Sequence, residues 1–202
     1  METINHNDTK QPQTINSHDL ISILNEVIDL DLLKTGIGLG RRTSLDDALI
    51  CFAQNIKTPQ SILEKLAKKK HASSEMLLSV ASHPNTPRTA FESICENLNS
   101  LGKEHLIENP ELPLECLDYL AGDEEENVRC AVAACVRTPS STLEKLAFSS
   151  DWLVQSELVR NPNTSTRALI LMLSDSSSNI KTAIAHHPNA TQVVLDKLSE
   201  EI

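Results

Sequence analysis

Residues 127–147 read NVRCAVAACVRTPSSTLEKLA, and close relatives of this unit recur along the chain. Apolar side chains at helical spacing before Thr138-Pro139 predict a first short helix. The proline ends that helix, because it lacks an N–H and disfavours helix in the residue before it. Thr138 is expected to be the N-cap of a second helix, with Pro139 at the first helical position. Leu143 and Leu146 then mark one buried stripe of that second helix.

The same corner and the same stripe recur every 26 residues, apart from one first spacing of 28. Two rows mark the corners, namely Pro84, Pro110, Val136, Pro162 and Pro188, and Pro59, Pro87, Pro113, Pro139, Ser165 and Thr191. One row marks the stripe, namely Leu63, Phe91, Leu117, Leu143, Leu169 and Leu195. Helices this short are unstable alone, so neighbouring units have to stack. We predict an all-α helical-repeat solenoid of about six 26-residue repeats over residues 45–202.

The part of the chain before the repeats predicts three further segments. Residues 1–16 are polar and are expected to form a disordered tail. Ser17–Leu33 has the apolar spacing of one amphipathic helix, which would cap the open apolar end of the solenoid. Gly36–Arg42 is glycine-rich and basic, and it is interpreted as a flexible joint between the capping helix and the repeats. The capping helix and this joint together make up residues 17–44. An anion-binding loop using Arg41 and Arg42 is the alternative.

The repeat unit resembles that of the leucine-rich repeat variant family. The likeness rests on the pattern AV-A-x-x-P-x-T-P-x-x-x-L-x-x-L-A, which Ser79–Pro87 (SVASHPNTP) follows closely. The resemblance implies short α-helices alternating with 3₁₀-helices in a right-handed superhelix; HEAT-like pairs of α-helices are the alternative. Founding members of that family carry an N-terminal cysteine cluster for an iron–sulfur centre. In this chain no cysteine precedes Cys51, so the resemblance to the family implies no cofactor here.

Composition disfavours several classes of function. A net charge of −10 opposes binding to a polyanion, and an aromatic content of 2% offers few stacking platforms for nucleic acid. The longest apolar run, of about six residues, is far too short for a membrane span. Five cysteines without a disulfide-scaffold spacing fit a reducing compartment. The sequence therefore predicts a soluble cytoplasmic protein.

Cysteine and histidine side chains are the candidates for chemistry. The cysteines show no four-ligand metal spacing, and small buried residues are the expected role. His83 and His187 share their repeat position with Asn109 and Asn161. A position that takes either residue is typical of a hydrogen-bonding helix end, whereas a metal ligand or proton donor is the alternative. No catalytic, cofactor-binding or metal-binding residue is predicted.

Charged side chains also recur in phase with the repeats. One carboxylate per second helix forms an acidic row, namely Glu64, Glu92, Asp118, Glu144 and Asp196, broken only at Ile170. Lys103, Arg129 and Lys181 form a basic row on the first helices. Solvation and weak surface ion pairs explain such rows. The alternative is an acidic ladder that docks a basic partner beside an exposed apolar step at Ile170 and Leu171.

These observations favour a non-enzymatic scaffold or adaptor that presents an extended surface to a protein or peptide. The alternative is an accessory or lyase-like helical-repeat protein acting on a bound small molecule or protein substrate. That alternative requires a pocket gathering His105, Cys116, Tyr119 or Cys130. The acidity disfavours a nucleic-acid binder. A homodimer through the C-terminal end is a further hypothesis, because Leu195 and Leu198 lie close to it.

Overall fold

The structure is a computed structural model, and it describes residues 45–174 and 177–200. These residues form twelve α-helices and no β-strand, so the predicted all-α class is confirmed. In chain order the helices are α1 Leu45–Gln54, α2 Gln60–Ala67, α3 Ser74–Ala81, α4 Ala90–Asn97, α5 Ser100–Ile107, α6 Leu114–Leu120, α7 Glu126–Ala134, α8 Ser140–Leu146, α9 Trp152–Leu158, α10 Thr166–Leu173, α11 Ser178–Ala185 and α12 Gln192–Glu200. The predicted tail, capping helix and glycine-rich joint lie outside the described residues.

Helices pack against their near neighbours in the chain. The most extensive contacts join helices that are adjacent or next but one in sequence. The odd-numbered helices α1, α3, α5, α7 and α9 contact one another in that order. The even-numbered helices do the same in two runs, from α2 through α4 to α6 and from α8 through α10 to α12. No 3₁₀-helix occurs among the described residues, so each corner joins two α-helices.

The core contains side chains that occupy equivalent repeat positions on successive helices. On the even helices Leu63, Leu117, Leu143 and Leu169 are fully buried and Phe91 nearly so. On the odd helices the corresponding column is fully buried throughout, namely Phe52, Val80, Leu106, Val132, Leu158 and Ile184. The spacing in the sequence therefore predicted the buried positions correctly. The exception is Leu195 on α12, which is 37% exposed.

The threonine hydroxyls at the corners donate to carbonyl oxygens of the preceding helix, whereas the sequence predicted that they cap the following helix. Pro139 is itself the N-cap of α8, one residue later than expected. The Thr138 hydroxyl donates to the Val132 carbonyl oxygen at 2.7 Å. Thr58 and Thr164 do the same to Phe52 and Leu158, at 2.6 Å each. The physical reason is that the last carbonyls of a helix lack intrahelical partners, and the corner brings the hydroxyl to them.

Replacing Thr58, Thr138 or Thr164 with valine should lower the free energy of unfolding by about 1–2 kcal/mol each. Valine keeps the shape of threonine but cannot donate, and all three side chains are buried. Serine at the same positions keeps the hydroxyl, so it should cost less than valine. Urea unfolding followed by circular dichroism measures the losses. Valine variants as stable as the wild type would show that these bonds do not hold the corners.

Candidate functional site

His83 and His187 form hydrogen bonds at the corners, as the sequence predicted, but their side chains bond to turn residues and not to the ends of their own helices. The Nε2 atom of His83 lies 2.9 Å from the Asn55 carbonyl oxygen, and its Nδ1 accepts from the Asn85 N–H at 3.0 Å. His187 makes equivalent bonds, at 3.1 Å to the Asn161 carbonyl and 3.1 Å from the Asn189 N–H. Both ring nitrogens are therefore occupied by backbone groups. Nε2 is the protonated nitrogen, because Nδ1 accepts.

Asparagine takes the same place in two other repeats. The Asn109 amide donates to the Ala81 carbonyl oxygen at 2.9 Å. The buried Asn161 amide donates to two carbonyl oxygens, of Ala133 at 2.7 Å and of Cys135 at 3.0 Å. Each bond reaches back to the end of the preceding odd helix. This row of histidines and asparagines therefore joins successive units and leaves no free imidazole or amide for a ligand.

The acidic row largely contacts the start of the next even helix. Asp118 accepts from the Thr142 hydroxyl at 2.9 Å and pairs with Lys145 at 2.6 Å. The Lys145 hydrogen bond outweighs burial and lowers the pKa of Asp118 below its ordinary value. Glu144 accepts from the Ser165 hydroxyl at 2.7 Å. The chain's own donors therefore occupy much of the row that was predicted to meet a basic partner.

The remaining residues of the predicted partner-binding set have different surroundings. Glu64 accepts from the Thr89 hydroxyl at 3.2 Å, and Asp196 accepts from the Gln192 amide at 2.8 Å. Glu92 is exposed. Ile170 and Leu171 are half-buried and pack against the core, so the apolar step is less exposed than the sequence predicted. The structure does not bring these residues into one cavity.

The basic row forms ion pairs with the loops that precede the next odd helices. Lys103 on α5 pairs with Asp123 at 2.6 Å, and Arg129 on α7 pairs with Asp151. Burial opposes the negative charge of Asp123, yet Lys103 and the Glu125 N–H hold its pKa below the ordinary value. The Arg129 hydrogen bond does the same for Asp151. Lys103 and Arg129 therefore hold the loops that contain Asp123 and Asp151 against the odd helices.

A groove crosses α1, α3 and α5. Its volume is about 760 Å³, and its lining is mainly apolar. Ile56 and Leu101 project at its edge and are 69% and 61% exposed. Leu78 and Gly102 also line it, and Glu75 and His105 add polar groups. This groove joins exposed apolar side chains to a concave surface, which is the usual character of a binding site.

A second cavity continues along the same side of the odd helices. It has a volume of about 330 Å³ and lies on α5, α7 and α9. Asn127 and Leu153 line it at the repeat positions that Glu75 and Leu101 occupy in the groove. Glu104 and Glu157 supply its carboxylates. The exposed side of the odd helices therefore carries two depressions in repeat register.

The residues required for the lyase-like alternative are spread over three cavities. His105 lines the groove, Cys130 lines the second cavity, and Cys116 lies with Tyr119 in a third cavity of about 300 Å³. No group of three or more histidine, cysteine, aspartate or glutamate side chains within residues 45–174 and 177–200 has the arrangement of a metal site.

Sequence reasoning missed the groove on the odd helices, although a signal was present. Leu101 occupies a repeat position that is Glu75, Asn127, Leu153 and Asn179 elsewhere, and Ile56 stands in the first row of corner prolines. Leu101 is therefore apolar at a position that is mostly polar, and Ile56 is apolar at a position that is mostly proline. Both of these departures from the repeat pattern lie at the groove, whereas Val136, another departure in the row of prolines, lines none of the cavities described.

No protein-family model matches the chain, and neither does any curated protein or solved structure. Across the part of the chain that the structure describes, no helix combines the length and the apolar character that crossing a bilayer requires. What is established is therefore an all-α fold with a groove on the odd helices.

Proposed function

We propose that the helices stack as a right-handed helical-repeat solenoid of six repeats, and that this protein is a non-enzymatic interaction scaffold. The contact pattern of adjacent and next-but-one helices supports the stacking. The handedness rests on the resemblance to the leucine-rich repeat variant family. In this arrangement the odd helices form one continuous face, and the groove on that face is the docking site for a protein or peptide partner.

The exposed apolar pair Ile56 and Leu101 at the edge of the groove carries this proposal. Large apolar side chains that converge on a concave surface are favourable to cover, because each one buried is worth about 1.5–3 kcal/mol. The groove extends over three helices, so it suits an extended or helical peptide segment better than a compact small molecule.

The charges around the groove define the partner's chemistry. Glu75 lies in the groove, Glu104 and Glu157 lie in the second cavity, and the net charge of the chain is −10. A partner segment with an apolar anchor flanked by lysine or arginine would complement both features. The acidic row of the even helices is a second surface for a basic partner, although its carboxylates would have to exchange their present donors.

Panning a displayed random-peptide library against the full chain tests the proposal. We expect enriched peptides to carry one large apolar residue with basic neighbours. L101E should weaken their binding about tenfold or more, because it places a charge where the apolar anchor packs. V136E is the matched control, since Val136 is 63% exposed and lines none of the three cavities described. Its affinity should stay within about twofold of the wild type.

The L101E variant is expected to fold normally. Leu101 is the second residue of α5, where a carboxylate interacts favourably with the helix dipole. Peptides that bind L101E and V136E equally well would remove the groove from the proposal. Loss of binding in an E92Q/D118N/E144Q variant, with L101E unaffected, would assign the partner to the acidic row instead.

The contact between two copies at the C-terminal end stays a prediction. Val193 and Leu195 on α12 are exposed and Leu198 is half-buried, so these residues would form such a contact.

A further inference from the structure

The third cavity, of about 300 Å³, contains two cysteines from neighbouring helices. Cys95 lies in the last turn of α4 and Cys116 in the first turn of α6, and both line the cavity. Both are reduced. Cys95 is fully buried, whereas Cys116 keeps 8% of its surface exposed. The pair therefore sits at the inner end of an opening to solvent, with Cys116 on the outer side.

The two thiols interact directly. A hydrogen bond with Cys116, together with burial, raises the pKa of Cys95. The same hydrogen bond lowers the pKa of Cys116, against the effect of burial. Of the two cysteines only Cys116 keeps exposed surface, so its thiolate, which is the reactive form, is the one that an oxidant from solvent meets first.

We propose that Cys95 and Cys116 are a redox-active dithiol, which hydrogen peroxide reaches through this cavity and oxidises to a disulfide linking α4 to α6. This role is independent of partner binding in the groove, which lies on the odd helices. It also accounts for the placement of two thiols side by side at one interface between even helices.

The reaction balances in two steps. The Cys116 thiolate attacks one peroxide oxygen, so an S–O bond forms and the O–O bond breaks, giving a sulfenic acid and, after protonation of hydroxide, water. The Cys95 sulfur then attacks the Cys116 sulfur, so an S–S bond forms, the S–O bond breaks and a second water leaves with the Cys95 proton. Two thiols and one peroxide become one disulfide and two waters.

The other cysteines provide internal controls. Cys51 on α1 is exposed, so peroxide and alkylating reagents reach it freely. Cys130 lines the second cavity, and burial raises its pKa, which disfavours the thiolate. Accessibility alone would favour oxidation of Cys51. The dithiol proposal instead favours the pair in the third cavity.

Trypsin separates the relevant cysteines, which makes the test direct. Cleavage after Lys and Arg places Cys95 in the peptide 89–103, Cys116 in 104–129 and Cys51 in 43–57. The full chain is treated with hydrogen peroxide, its remaining thiols are alkylated without reduction, and the digest is analysed by mass spectrometry. We expect a linked 89–103/104–129 pair to form about tenfold faster than Cys51 loses its thiol, and to disappear after dithiothreitol.

Two cysteine variants test the assignment. C116S should abolish the linked pair and leave Cys95 open to alkylation after unfolding, whereas C51S should leave formation of the pair unchanged. The wild-type digest is decisive even if C116S folds poorly. Full alkylation of Cys95 and Cys116 in peroxide-treated wild type, with Cys51 oxidised, would overturn the proposal.

Discussion

Replacing Asn161 with alanine should lower the free energy of unfolding by about 2–4 kcal/mol. The Asn161 side chain is 3% exposed, and its amide donates to the carbonyl oxygens of Ala133 and Cys135. Its own oxygen accepts from the Asn163 N–H at 3.0 Å. Alanine leaves these backbone groups without that partner in a buried place, and the cost of an unsatisfied buried group exceeds the gain from the bond itself.

The repeat offers matched controls for this variant. N109A removes a half-buried bond to the Ala81 carbonyl and an exposed bond from the Glu111 N–H, and it should cost about 1–2 kcal/mol. N85A removes one exposed bond and should cost less than about 0.5 kcal/mol. N161H places there the residue found at positions 83 and 187, so it should recover part of the loss. Urea unfolding measures the series. Equal losses at Asn161 and Asn85 would contradict a role for burial.

Replacing Leu117 with alanine should cost about 3–5 kcal/mol, because the fully buried side chain leaves a cavity between α6 and its neighbours. Leu195 is its matched control, since it occupies the same repeat position and is 37% exposed. L195A should cost less than about 1 kcal/mol. Thermal and urea unfolding of the two variants give the difference.

The comparison also tests what covers α12. If L195A costs as much as L117A, then Leu195 is buried in solution by something beyond the described residues. A loss that grows with protein concentration would identify a second copy as the cover, because the stabilisation from association increases with the logarithm of the partner's concentration.

The buried positions within each repeat could be predicted from the sequence, whereas the side-chain contacts between repeats could not. Burial of Leu117 and Val132 follows from 3.6-residue spacing and the proline corners, which are local properties. The pairing of Asp118 with Thr142, or of Glu144 with Ser165, depends on the stagger between two neighbouring helices. Stagger is set by how side chains interdigitate across the interface, and no spacing within one unit encodes it.

The groove illustrates the same distinction. Leu101 reads as one exposed residue in the sequence, since isolated surface leucines are common. Its importance appears only when the packing of α1, α3 and α5 brings it near Ile56 around a depression. In contrast, Ile170 and Leu171 looked exposed because they interrupt a polar pattern, yet the fold packs them against the core.

The row of histidines and asparagines that joins successive units also makes each bonded unit depend on one that is synthesised after it. His83, Asn109, Asn161 and His187 each supply a group that completes the backbone of the unit made before it. At about 5–20 residues per second, one further unit of 26 residues takes roughly 1–5 s to emerge from the ribosome. A unit that is completed in this way therefore lacks one hydrogen-bond partner of its backbone until the next unit has emerged.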